Sequence, residues 1–153
     1  MTEKKTGRLL AIATKNMKRA PMTLKESTHV TVEQGVEGDH RGKPGDRQVT
    51  VISKDSWDAA CQALGEQIPW IARRANMLIS DIIFEESTGQ FIKIGNLLLE
   101  ITGETKPCDR MDEYYPGLQN VLKPGWRGGV TCKVIRSGYV KLGDIVTLAD
   151  STD

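Results

Sequence analysis

The chemistry of this chain centres on one thiol. Cys108 stands two residues after Lys106 and two before Arg110, inside Ile101-Thr102-Gly103-Glu104-Thr105-Lys106-Pro107-Cys108-Asp109-Arg110-Met111. Cysteine is a nucleophile or metal ligand as its thiolate, a form that nearby cations favour. Pro107 narrows the backbone choices just before the thiol.

Cationic residues recur in four segments that read as loops: Arg41, Lys43 and Arg47; Arg73 and Arg74; Lys106 and Arg110; and Arg127. Each segment also carries Gly, Pro or Asn, which let a backbone come close to a ligand. Arginine contacts phosphate through two parallel N–H donors. A thiolate among such cations points to a phosphorylated ligand that bears a soft metal or an electrophile.

Other constellations fail on spacing. Gly38 to Lys43 has three residues between its glycines rather than four, and Pro44 stands where a phosphate-binding loop needs Ser or Thr. No C-x-x-C pair occurs, so structural zinc is not expected. Cys108-Asp109-Arg110 is too short to wrap a phosphate as cysteine phosphatases do. Neither His29 nor His40 has a visible serine partner for a triad. His29 reads as a strand residue, and His40 sits in a polar, glycine-rich loop.

The other two cysteines lie on periodic apolar faces. Trp57, Cys61 and Leu64 fall at i, i+4 and i+7 of a helix that Ser53 caps and Gly65 stops. Val130, Cys132 and Val134 alternate along a strand. Both thiols are expected in the core.

The elements that must position Cys108 are mostly strands. Strands are predicted over 7–13, 27–32, 47–52, 77–80, 82–84, 91–94, 97 into the Cys108 stretch, 130–135, 139–142 and 145–148. Four glycines and a proline exclude a regular element over 35–46. Residues 15–21 and 123–129 read as loops, and short helices are predicted over 109–115 and 118–122. The glycine turn before the last short strand is typical of a strand that closes a barrel. The fold class read here is mostly β, a barrel with a few short helices.

At 153 residues the chain suits a single domain with a real core. A formal net charge of +1 gives no global field for nucleic acid, and no apolar stretch nears a membrane span or a signal peptide. Three cysteines, an odd number, suit a reducing compartment, and a cytoplasmic location is expected.

Taken together, Gly35-Val36-Glu37-Gly38-Asp39, Arg47-Gln48-Val49-Thr50, Arg73-Arg74-Ala75-Asn76, Ile94-Gly95, Thr102 to Met111 and Gly125-Trp126-Arg127-Gly128-Gly129 resemble the MOSC domain family, in order and over about 7–148. The family takes its name from the C-terminal part of molybdenum-cofactor sulfurase, and the resemblance is to its small stand-alone bacterial members. It implies one MOSC-type barrel domain over 1–153 and a site for the molybdenum cofactor (molybdopterin), a phosphorylated pterin dithiolene. It also implies Cys108 as the functional residue and metal ligand. The implied cofactor contacts are Arg74, Asn76, Arg110 and Arg127, with Gly38 and Asp39 shaping the pocket and Arg41 and Arg47 as further contacts.

Two functions follow from the resemblance. One is a molybdoenzyme component that reduces N-hydroxylated small molecules with electrons from an electron-transfer protein. The other is a sulfur carrier that accepts a persulfide on Cys108 from a cysteine desulfurase, for maturation of a metal–sulfur cofactor. No pyridoxal phosphate domain is recognisable, and relatives in the family admit a homodimer.

Overall fold

Alternation of inward and outward side chains builds a closed barrel in the computed structural model, which describes residues 4–152. The strands are β1 (Lys5–Thr14), β2 (Thr23–Lys25), β3 (Ser27–Thr31), β4 (Gly35–Val36), β5 (Val49–Ser53), β6 (Met77–Ile79), β7 (Phe91–Ile94), β8 (Leu97–Glu104), β9 (Val130–Arg136), β10 (Gly138–Lys141) and β11 (Ile145–Ala149). The helices are α1 (Lys54–Leu64), α2 (Arg110–Tyr114) and α3 (Leu118–Leu122), with 3-10 turns at Trp70–Arg73 and Pro124–Trp126.

Seven strands close the barrel in the order β11-β7-β8-β9-β5-β6-β1, and β11 pairs back onto β1 with Gly7 opposite Val146. The last strand therefore closes the barrel, which leaves it no free edge to template aggregation. β2 extends β1 beyond the closure. β10, β3 and β4 form a separate small sheet whose Val140, Val30 and Val36 pack into the barrel core.

One neighbouring pair, β5 and β6, is parallel. Parallel strands need a crossover, and α1 with the 3-10 turn at Trp70–Arg73 supplies it. Ser53 accepts a hydrogen bond from the Ser56 N–H at 3.2 Å to cap α1, and Gly65 ends the helix in the left-handed region at φ 73°. These are the limits that the sequence predicts.

The crossover makes a second core outside the barrel. On β5, Val49 and Val51 face the barrel interior, whereas Ile52 faces outward into a cluster with Trp57, Cys61, Met111, Leu118 and Leu122. Thr50, on the same outward face as Ile52, is left beside the helices rather than beneath them.

Two strand expectations need correction. Ile82 and Phe84 are buried in the barrel core but join no ladder, because Asp81 turns the backbone out of register at φ 64°. Gly35 and Val36 do form a regular element, a two-residue strand paired with Thr31 and Val30. Thr23–Lys25 is a further strand too short for periodicity to reveal. Among the described residues, no helix is long and apolar enough to cross a membrane.

Candidate functional site

The outward side of β5 at Thr50 opens into a cleft of about 680 Å³. Five segments converge there: Lys15 and Arg19 after β1, Asp39 to Arg47 before β5, Ala72 to Asn76 before β6, Thr105 to Tyr114 after β8, and Gly128 before β9.

The thiol's segment is held at its base. The Thr105 N–H donates to the Gly129 carbonyl at 2.8 Å. Gly129 has φ 100°, and a Cβ there would sit 2.4 Å from the Val51 carbonyl oxygen; one on Gly128 would sit 2.6 Å from that of Thr105. Only glycine lets these strands approach so closely. Arg73 completes the fastening, donating from Nε to the Gly128 carbonyl at 2.9 Å and from Nη2 to the Thr105 carbonyl at 3.0 Å. Pro107 is buried, and beyond it Cys108 emerges exposed in the cleft.

The three cysteines now separate by environment. Burial alone pushes the Cys132 thiol far above its ordinary pKa, which keeps it protonated and inert. Cys61 is buried against the Ile68 carbonyl at 3.8 Å. Cys108 is the one among them that a ligand or a partner can reach.

Eight cationic side chains and two carboxylates line the cleft, in a chain whose formal net charge is +1. Among the described residues one ion pair forms, Lys54 with Asp58 on α1, so the cleft cations have no carboxylate partner. Burial lowers the pKa of Lys15, and Arg74 and Arg41 lower it further; Asp39 opposes them, and Arg110 adds to the lowering. Burial also lowers that of Arg73, opposed by Cys108 beside it and reinforced by Arg47. Both shifts come first from burial, with neighbouring cations adding to the lowering at Lys15, and a bound anion would favour the charged forms.

The cleft wall also contains Thr105 Oγ1, the one buried side-chain polar atom without a hydrogen-bond partner among the described residues. Cations without an ion pair among the described residues, an orphaned hydroxyl and a reachable thiol fit a phosphorylated ligand with a thiol-binding centre. Among the described residues, no three His, Cys, Asp or Glu side chains gather to hold a metal ion by themselves.

Of the residues singled out from sequence, Asp39, Arg41, Arg47, Arg74, Asn76, Cys108 and Arg110 come together in this cleft. Three of them make structural contacts as well. Asp39 accepts from the Lys15 N–H at 3.0 Å and the Arg41 N–H at 3.4 Å, fixing two loops together. Buried Asn76 accepts from the Thr50 N–H at 2.9 Å and donates to the Ala13 carbonyl at 3.1 Å, tying β5 to β1. Arg74 stands in the left-handed region at φ 62° and donates to the Ala20 carbonyl.

Three singled-out residues lie elsewhere, Lys43 among them, outside the cleft lining. Arg127 donates from Nη1 to the Val121 carbonyl at 3.0 Å and is not in the cleft lining. Gly38 shapes the turn before Asp39 at φ 84° without lining the cleft. The cleft also takes in Arg73 and Lys106 from the cationic segments, and it adds Lys15, Arg19, Thr105, Glu113 and Tyr114. Lys15 had no signal in the sequence, because only the fold returns its loop to β5. His40 is exposed and lies outside this cleft, and His29 is exposed on β3 with its ring 4.9 Å from that of Tyr139.

The MOSC domain matches residues 27–147 of the chain. No curated protein shows significant similarity to it. Among solved structures, the YUAD protein from Bacillus subtilis superimposes with a TM-score of 0.81 at 18% identity, covering 99% of this chain and 100% of that one. YiiM from Geobacillus stearothermophilus gives a TM-score of 0.73 at 14% identity, covering 93% and 74%. YiiM from Escherichia coli gives 0.69 at 16%, covering 92% and 69%. At these identities the likeness is one of fold.

Proposed function

This chain belongs to the MOSC domain family, and on that premise we propose that its cleft binds the molybdenum cofactor and that the loaded protein reduces N-hydroxylated small molecules. One observation carries the reading: an exposed thiol stands in a cleft whose cations have no carboxylate partner among the described residues. Arg41, Arg47, Arg74 and Arg110 would hold the cofactor's phosphate, with Lys15 adding charge. Arg73 and the Gly128–Gly129 backbone fix the base of the Cys108 segment, so the thiolate is presented without a large ordering cost. Cys108 would serve as the protein's metal ligand, soft sulfur suiting a soft metal. When bound, the cofactor supplies two-electron redox chemistry at the metal. Reducing an N-hydroxyl group to N–H consumes two electrons and two protons and releases water, the electrons coming from a separate electron-transfer protein.

The test is metal and pterin analysis of protein made in a cofactor-proficient host. Wild type should carry about one molybdenum per chain, and Cys108→Ala should lose the metal. Wild type without molybdenum removes this reading.

The exposure of Cys108 favours a second reading, sulfur transfer. An accessible thiolate can take the terminal sulfur of a desulfurase persulfide, leaving the desulfurase cysteine as its thiol. Incubation with a cysteine desulfurase and cysteine should then add one reducible sulfur to Cys108 by intact mass. A mass that stays unchanged rules this reading out.

A further inference from the structure

Arg41 and Arg47 line two cavities. One is the cleft, and the other is an open cavity of about 630 Å³ formed with His40, Lys43, Pro44, Gly45 and Asp46. His40, Arg41, Lys43 and Arg47 are all exposed. Asp46 is the one carboxylate in this lining, and it forms no ion pair among the described residues. Exposed charge on a loop is by itself only a solvated face.

This loop differs in how firmly it is held. At one end the His40 N–H donates to the Lys15 carbonyl at 2.6 Å, and Asp39 accepts from the Lys15 N–H at 3.0 Å. At the other end the Asp46 carbonyl accepts from the Thr102 hydroxyl. Between them Gly42 approaches Gln34 so closely that a Cβ would sit 1.6 Å from the Gln34 carbonyl oxygen. The cations are therefore presented in fixed positions, which lowers the ordering cost of binding a partner.

Gln48 extends the surface beyond the loop. It is buried, and its Nε2 donates to the Val32 carbonyl at 2.7 Å and the Gly42 carbonyl at 3.0 Å. Its Oε1 accepts from the Val134 N–H at 2.9 Å. One amide thus joins the cationic loop to the two segments that carry Val32 and Ile135, both exposed apolar residues. The Val32 N–H also donates to the Ser137 hydroxyl at 2.9 Å, fastening those two segments to each other. Exposed apolar side chains beside fixed cations match the apolar centre and polar rim of a protein interface. A nucleic acid calls for a broader basic field than a formal net charge of +1 supplies.

We propose that the 40–47 loop, with Val32 and Ile135, is the docking surface for an acidic electron-transfer protein. Carboxylates of the partner meet Arg41, Lys43 and Arg47, and its apolar side chains cover Val32 and Ile135. Because Arg41 and Arg47 also line the cleft, a partner seated here lies at the cleft's edge. The partner's role rests on the reductase reading.

The test titrates flavodoxin, an acidic electron-transfer protein, into the protein as isolated, by calorimetry at low and at physiological salt. Wild type should bind, and more tightly at low salt. Lys43→Glu should weaken binding about tenfold at low salt, and Ile135→Ser about threefold at both salts. Lys123→Glu makes the same charge change outside both cavities and should bind like wild type. Equal losses in Lys43→Glu and Lys123→Glu overturn the docking surface, as does wild type that does not bind flavodoxin. A single-stranded DNA oligomer bound in preference to flavodoxin overturns it too. Molybdenum content of the same samples, made in a cofactor-proficient host, decides the reductase reading separately, and Lys43→Glu should keep the wild-type amount. Wild type without molybdenum removes that reading, whereas full molybdenum with unchanged flavodoxin binding in Lys43→Glu overturns this surface alone.

Discussion

Cys132 and Cys108 are the same residue in opposite surroundings. Cys132 is sealed in the barrel between Val130 and Val134, among side chains with no polar partner to offer. Cys108 lies on a loop that Arg73 and Gly129 pin at its root, exposed among cations that form no ion pair among the described residues. The barrel interior is optimised for burial and the outer cleft is not. Burying the Lys15 ammonium, with Arg74, Arg41 and Arg110 adding to the penalty and Asp39 opposing it, costs stability, and a bound anion would offset it. Structure and chemistry are therefore held on two sides of β5, with Val49 and Val51 inward and Thr50 outward.

The largest effect should come from the barrel. Leu99 is fully buried, and Leu99→Ala should cost about 3 kcal/mol of unfolding free energy, read as a lower denaturation midpoint with an unchanged slope. The folded fraction should still bind inorganic phosphate like wild type. Weaker phosphate binding by the folded fraction would show that the barrel and the cleft are one unit.

Arg73→Met should have a smaller effect and a local one. It removes two charge-assisted hydrogen bonds to carbonyls, worth about 2 kcal/mol together. Amide exchange at Thr105, bonded to Gly129, should speed up at least about tenfold, while the Ile92 amide in the barrel keeps its protection. Equal acceleration at both sites would erase the distinction between the regions.

Lys15→Met should give the smallest change, with opposite signs for stability and binding. The folded-state pKa of Lys15 lies below its ordinary value of 10.5, so the unfolded chain holds the proton more firmly. The charged lysine thus weakens the fold at neutral pH, and that penalty fades as pH rises through the lowered pKa toward 10.5. Lys15→Met should therefore melt above wild type near neutral pH, with the gap closing as pH rises. It should also bind phosphate about threefold more weakly. A lower melting temperature at neutral pH would contradict a charge penalised by burial and neighbouring cations.

The comparison also shows which features the sequence discloses. The helix from Ser53 to Gly65 is legible to the residue, because its cap and its stop are local chemistry. Cys61 and Cys132 are legible as core residues, because burial leaves a period in the chain. Ile82 to Phe84 misleads for the same reason: burial there comes without a ladder, and the turn at Asp81 that prevents pairing leaves no pattern. In the site, motif residues point to Cys108, Arg74 and Arg110, which the cleft brings together. Lys15 and Tyr114 escape, because their place depends on how separate loops return to Thr50. Arg127 sits in a motif yet spends its guanidinium on the Val121 carbonyl.

The division between the two regions is tested most directly by molybdenum bound per folded chain in Cys108→Ala set beside Cys132→Ala, both made in a cofactor-proficient host. The expected result is that Cys108→Ala lacks the metal while its stability stays within about 0.5 kcal/mol of wild type. Cys132→Ala should keep the metal while losing about 1 kcal/mol or more of stability to its cavity. Full metal in Cys108→Ala, or lost metal in folded Cys132→Ala, would contradict the account.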